Sequence, residues 1–429
     1  MRFVEEISNK NKLIVMVIFI FSVVILNLKS CYIYADTLPT FAVVESESKN
    51  VKSNENKKEN IKQDKENVPA IAQAEFKFVS AAQILMEAST GQVIYENNSD
   101  EKHLPASVTK VMTLLLIMEA IDSGKISYED KVVCSEHASS MGGSQIWFKV
   151  GEELTMEEAL KCICVVSAND VSIAVAEMIG GNEENFVKMM NNRARELGMN
   201  NTNFMNAHGI DEENHYTTAR DIAIMSRELI TKHPDILKYT SIWMDTIRGG
   251  TFDLSNTNKL IRYYEGANGL KTGSTSQALF NVSATATKNN MTLIAVIIKA
   301  PTSDIRNEEA KQLLNFGFTN YEVQEISKEG DLVKTQKVNK YLSGEVEFIL
   351  KEGVSLLNEK GKKEEILEDI QIESKLQAPL NKNEKVGEII YTNKQSEIIK
   401  KVDLISKNNI QKSNLWDYIL QSLKTYSLM

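Results

Sequence analysis

The stretch that most restricts the fold is "GANGLKTGSTSQALFNVSATATKNNMTLIAVIIKA", which ends at Ala300. Lys288-Asn289-Asn290 reads as the turn of a hairpin joining two longer strands, with Lys271-Thr272-Gly273 on a strand just before them. Near the other end, Ala81 to Met86 and Gln92 to Tyr95 flank a Ser-Thr-Gly turn and predict a second hairpin. The section between the two hairpins is mostly helical in pattern.

Little before residue 76 reads as part of a core. Lys10 and Lys12 precede an apolar run from Leu13 to Leu28, shorter than the ~20 residues that span a bilayer. Export is the expectation, with residues 1–35 a signal peptide cut after "YIYA" at Ala35. A retained anchor or lipid attachment at Cys31 in "LKSC" are the alternatives, although Lys29 stands where such a signal wants a small or apolar residue. Residues 36–75 read as a disordered linker, because "ESESKNVKSNENKKENIKQDKENVP" within them holds mixed charge, almost no large apolar side chains and no period.

The 429 residues, 42% hydrophobic and 25% charged, suffice for a full core and at least two domains. A net charge of -9 with no concentrated Lys/Arg run argues against nucleic acid as a partner. Cleavage at Ala35 leaves Cys134, Cys162 and Cys164, an odd number that makes no disulfide framework. Cys162 and Cys164 diverge by about 200° on a helix and read as small buried hydrophobes.

In "LPASVTKVMT", Pro105 suits the first turn of a helix whose apolar face continues to Gly124. Ser107 and Lys110 then share one face, one turn apart. A serine hydroxyl is a weak nucleophile until a base takes its proton, and lysine is such a base only when burial leaves it neutral. The helix N-terminus adds N–H donors where an oxyanion would form. By itself, serine-x-x-lysine also occurs on solvated helix faces.

Two further pieces follow in order. Ser167-Ala168-Asn169 interrupts an apolar stretch, where polar groups are costly unless they face a cleft; the alternative is that Asn169 or Asp170 caps the next helix. Lys271 and Thr272 aim an amine and a hydroxyl at one spot, with Gly273 letting a ligand approach the backbone. That makes a carboxylate-binding edge, the alternative being an exposed strand end.

Together with "NFVKMMNNRARELGMNNTNFMNAHGI", "HYTTARDIAIMSRELI", "NTNKL" and "RNEEAKQLLNFGF", these motifs make the chain resemble the serine D-alanyl-D-alanine carboxypeptidases, the low-molecular-mass penicillin-binding proteins, over roughly residues 81–318. The resemblance implies an α/β (α+β) fold of the penicillin-recognising serine kind, an antiparallel sheet built from both ends of the region with a helical section inserted. It implies Ser107 as nucleophile, Lys110 as its base and Ser167 as proton relay. Asn169 would hold the substrate backbone, Lys271 and Thr272 its carboxylate, with Gly273 on the same edge and Arg306 in support. The N–H groups of Ser107 and Ser274 would form the oxyanion hole. Ala168 and Ser274 depart from the residues usual there. The implied partners are the peptidoglycan stem pentapeptide as substrate and β-lactams as inhibitors, with no cofactor.

His208 and His215, with Asp211 between them, lack a zinc ligand set and read as loop and packing residues. The rivals are a β-lactamase, for which no deacylating glutamate motif is evident, a non-enzymatic wall-binding protein, and a D,D-endopeptidase. The expected boundaries are a catalytic domain over 76–320, a small β-rich domain over 321–410 and an amphipathic helix over 411–429. In that helix Leu415, Trp416, Ile419, Leu420, Leu423 and Tyr426 form a stripe and Ser413 is the expected cap. The stripe suits a membrane surface, or else docks on the β-rich domain. The expected location is extracytoplasmic, at the outer face of the cytoplasmic membrane.

Overall fold

The computed structural model describes residues 76–342 and 344–427. The expected signal peptide with its cut at Ala35, the alternatives of a retained anchor or lipid attachment at Cys31, and the expected linker over 36–75 lie outside the described residues.

In chain order the first region runs β1 (Ala82–Glu87), β2 (Val93–Asn97), α1 (Lys110–Asp122), α2 (Asn169–Gly180), α3 (Glu183–Glu196) and α4 (Ala219–Lys232). The hairpin β3 (Met244–Ile247) and β4 (Phe252–Ser255) follows, then β5 (Ala267–Thr275), β6 (Leu279–Lys288), β7 (Met291–Ala300) and α5 (Ser303–Asn320). The main sheet has five strands in the order β2-β1-β7-β6-β5, with antiparallel neighbours. Both predicted hairpins are present. Between β6 and β7, Asn289 and Asn290 take φ values of 49° and 62°, the tight turn that asparagine tolerates and most side chains do not.

Strand β7 shows why its sequence is apolar throughout rather than alternating. Ile294, Val296 and Ile298 pack on one side with α1, α2 and α4, while Leu293, Ala295 and Ile297 pack on the other with Ala310, Leu313 and Leu314 of α5. A sheet covered on both faces needs no polar side. Helix α1 is the centre of the helical layer: Val111, Leu114, Leu115 and Met118 are all buried, and truncating Leu114 to alanine would cost on the order of 2–5 kcal/mol. Thr218 caps α4 and Thr302 caps α5, each accepting from the backbone N–H three residues on.

From Tyr321 onward the chain is built from strands: β8 (Tyr321–Ser327), β9 (Leu332–Gln336), β10 (Val346–Leu350), β11 (Val354–Glu359), β12 (Leu367–Ile372), β13 (Lys385–Thr392) and β14 (Ile398–Ser406). They form a five-stranded sheet, β9-β10-β14-β13-β12, and a separate pair, β8-β11. Phe348, Tyr391, Val402 and Leu404 fill its core.

The helix α6 (Leu415–Ser427) ends the described chain. Ser413 is not its cap: its hydroxyl accepts from the Leu342 N–H at 2.9 Å, and Asn414 with Asp417 exchanges the capping hydrogen bonds instead, at 2.7 and 3.1 Å. Docking of the stripe on the β-rich sheet is excluded too, since Leu415, Trp416 and Leu423 remain 75%, 71% and 61% exposed. Among the described residues no helix is long and apolar enough to cross a membrane.

Candidate active site

Ser107 lies in a 3-10 turn, Ala106–Thr109, that leads into α1; Pro105 sits just ahead of that turn rather than inside it. The turn begins from a left-handed Ala106, φ 49°. Gly209 presses on it so closely that a Cβ would come 1.9 Å from the Ala106 carbonyl oxygen, and its own φ of 92° also demands glycine. This approach carries the carbonyl of His208 into the site.

Lys110 is fully buried behind Ser107. Its Nζ lies 3.0 Å from Ser107 Oγ, 2.6 Å from Asn169 Oδ1 and 2.7 Å from the His208 carbonyl. Burial, reinforced by the charge of Lys271 and opposed by that of Asp170, holds its amine well below the ordinary lysine range. A neutral amine has two N–H groups and one lone pair. Asn169 Oδ1 and the His208 carbonyl can only accept, so they take the two N–H groups and the lone pair is left facing the Ser107 hydroxyl. Deprotonated, Lys110 is placed to receive the serine proton.

Asn169 is not a helix cap. Ala168 occupies the cap position of α2 without a side-chain bond. The Asn169 amide instead bridges Lys110 and the Gly142 carbonyl, at 2.7 Å from Nδ2, while its backbone N–H donates to Ser144. Asp170 is no cap of the helix end either; its carboxylate accepts the N–H groups of Ile146 and Phe148 at 3.0 Å each. Ser167 has left-handed backbone, φ 65°, following a π-helical turn over Cys162–Val166. Its hydroxyl is buried and has no hydrogen-bond partner among the described residues. Both Cys162 and Cys164 are buried, and burial pushes the Cys164 thiol up to about 12.

Strand β5 carries the third motif, which is no exposed strand end: Lys271, Thr272 and Gly273 are buried, whereas Ser274 is exposed. Burial brings Lys271 down to about 7; the Cys164 thiol opposes that shift and Arg306 adds to it. The Thr272 hydroxyl pairs with Thr257 Oγ1 at 2.7 Å. At Gly273 the space a side chain would fill is occupied by the Ser107 and Val108 amides and the Pro105 carbonyl, so the glycine is needed to admit the turn that carries Ser107. Arg306, on α5, is buried behind the sheet, bonded to Asn307 Oδ1 at 3.0 Å and to the carbonyl of Asn281, the residue paired with Gly273. It acts on Lys271 through its charge.

His208 and His215 do pack, as expected. His215 Nδ1 accepts from the Met205 N–H, which leaves Nε2–H to donate to Thr109 Oγ1 at 2.8 Å; burial lowers this imidazole to about 4. No group of three or more His, Cys, Asp or Glu suited to a metal occurs among the described residues. The contributions missed in the sequence are the His208 carbonyl, Thr257 and the Asp170 brace. Thr257 lies in the "NTNKL" stretch, but a backbone carbonyl leaves no signal in residue types.

Comparison with known proteins agrees with this geometry. Residues 68–302 match the D-alanyl-D-alanine carboxypeptidase family, and residues 321–412 match the C-terminal domain of penicillin-binding protein 5. The D-alanyl-D-alanine carboxypeptidase DacF of Bacillus subtilis is 42% identical over 344 residues, 79% of this chain and 88% of that protein. DacA of Haemophilus influenzae is 32% identical, over 80% of this chain and 88% of its own length. Among solved structures, penicillin binding protein 5 from Haemophilus influenzae superposes with a TM-score of 0.65 at 31% identity, over 79% of this chain and all of that one. Penicillin-Binding Protein D2 from Listeria monocytogenes, in its cefotaxime-bound form, gives 0.54 at 28% identity, over 57% of this chain and all of that one. With its serine and buried lysine in hydrogen-bond contact and both regions matched, the chain belongs to the D-alanyl-D-alanine carboxypeptidase family.

Proposed function

We propose that Ser107 is the nucleophile of a carboxypeptidase that removes the terminal D-Ala from peptidoglycan stem pentapeptides through an ester on its own hydroxyl. The chain is a serine-type D,D-carboxypeptidase of peptidoglycan, sensitive to β-lactams and acting outside the cytoplasm. The observation that carries the assignment to Ser107 is the 3.0 Å contact with Lys110, whose other two partners accept only.

In this reading Lys110 takes the serine proton as Oγ bonds to the carbonyl carbon of the penultimate D-Ala. The N–H groups of Ser107 and Ser274 stabilise the oxyanion. The C–N bond then breaks, and the unpartnered Ser167 hydroxyl relays a proton to the leaving amine. Water hydrolyses the ester, releasing tetrapeptide and returning the proton to Ser107. Asn169 orients the substrate amide, while Lys271 and Thr272 grip its terminal carboxylate with Arg306 as a charged support behind them. Residues 76–320 are the catalytic domain and 321–410 a β-rich stalk, followed by the segment 411–429 that contains α6. The exposed apolar stripe of α6 lies in the interface of the cytoplasmic membrane and holds the enzyme at its outer face.

The test is release of D-Ala from a soluble pentapeptide by purified protein, lost in Ser107→Ala. Release that survives this substitution would remove Ser107 from the reaction.

A further inference from the structure

Trp147 is held in a way that the reaction at Ser107 does not require. Its backbone is left-handed, φ 54°, a state that a bulky residue keeps only when its surroundings over-determine it. They do so from two sides. Asp170 accepts the N–H groups of both its neighbours, Ile146 and Phe148, whose side chains are buried. Arg248, paired with Glu152 at 2.7 Å, donates to the carbonyls of Ile146 at 3.0 Å and Trp147 at 3.4 Å. The indole is thereby turned outward and stays 66% exposed, edge to face with Phe252 at 6.1 Å between ring centroids.

The pair stands where two segments of the active site meet. The loop that carries Trp147 also supplies, at Gly142 and Ser144, the carbonyls that accept from Asn169. Phe252 begins β4, which runs on into Asn256 and Thr257, and Thr257 bonds Thr272. A large apolar ring kept in water contributes nothing to the core, and the guanidinium of Arg248 beside it is already engaged by Glu152 and two carbonyls. Such a flat, uncharged face fits the C–H face of a pyranose ring better than a stem peptide bearing carboxylates.

We propose that Trp147, backed by Phe252, is a platform for the sugar rings of the glycan to which the stem peptide is attached, so that the enzyme prefers glycan-linked over free pentapeptide. The proposal rests on the carboxypeptidase reading above and adds a specificity-determining contact to it.

The experiment compares kcat/KM for a free pentapeptide with that for the same pentapeptide on a disaccharide, in wild type, Trp147→Ala and Trp147→Phe. Wild type should favour the glycan-linked substrate. Trp147→Ala should reduce that ratio by about fivefold to tenfold, through KM, and Trp147→Phe should keep most of it. No preference in wild type, or an unchanged ratio in Trp147→Ala, overturns the platform. So does an equal fall on both substrates together with slower benzylpenicillin acylation, which would make Trp147 a brace for Asn169. A separate arm titrates peptide-free glycan oligomers against Ser107→Ala protein and follows tryptophan fluorescence, with Trp147→Phe in the same background as control. A Trp147-dependent change is expected, and its absence counts against the platform. Glycan binding without D-Ala release by wild type would sink the carboxypeptidase reading while leaving the platform in place.

Discussion

A Cβ on Gly273 would lie 2.7 Å from the backbone nitrogen of Ser107 and 2.8 Å from that of Val108. The strand that carries Lys271 and Thr272 and the turn that carries Ser107 therefore touch through backbone atoms, which cannot swing aside. Gly273→Ala should push the two apart and slow benzylpenicillin acylation about a hundredfold, the cost expected for misplacing a reacting group by an ångström or so. Stopped-flow acylation rates check this. An unchanged rate would mean that strand and turn move independently.

The lone-pair argument for Lys110 separates a base from a mere positive charge. Arginine keeps the charge but cannot deprotonate, so Lys110→Arg should lose about 10²–10⁴ in kcat/KM, as should Lys110→Met. Thermal melts of both variants report whether the fold survives. More than a tenth of wild-type activity in Lys110→Arg would show that charge alone suffices.

The two lysines give opposite limbs to the pH profile. Lys110 works when neutral, and because its amine is held well below the ordinary range, its form of activity is lost only as pH falls through that depressed pKa. In the proposed mechanism Lys271 binds a carboxylate when charged, and that charge is lost as pH rises through about 7 in the free enzyme. The kcat/KM for an acid-ended pentapeptide should therefore fall above about pH 7, with the change in KM. An amide-ended substrate has no carboxylate to pair, so the acid form should be favoured more than tenfold at pH 6 and the advantage should shrink as pH rises. Equal cleavage of acid and amide across the range would contradict the assignment of Lys271 and favour an endopeptidase.

Removing α6 should abolish membrane binding without touching catalysis. Residues 36–412 and 36–429, each spun with liposomes containing anionic lipid, should differ, only the longer form pelleting, while both cleave soluble pentapeptide at similar rates. If both remain in the supernatant, or both pellet alike, the helix is not the anchor.

The legible parts of this protein are those where chemistry and local geometry coincide. Ser107 and Lys110 share a helical face by spacing alone, and Asn289-Asn290 names its turn because few other residues accept positive φ at both positions. The hidden parts depend on tertiary approach. Gly273 reads in the sequence as room for a ligand and Gly209 as an ordinary loop glycine; their close approach to the Ser107 turn shows only in three dimensions. His208 contributes a carbonyl that any residue could supply. The polar triplet at Ser167 is ambiguous in the sequence, and the structure resolves it by placing Ala168, not Asn169, at the cap position.

The most direct measurement of the central claim is intact-protein and peptide mass spectrometry after exposure to benzylpenicillin. A single adduct is predicted, mapped to the peptide containing Ser107, persistent over the time in which a β-lactamase would have cleared it and absent in Ser107→Ala. An adduct on another residue, labelling that survives Ser107→Ala, or rapid turnover of a chromogenic cephalosporin with no adduct would contradict the account.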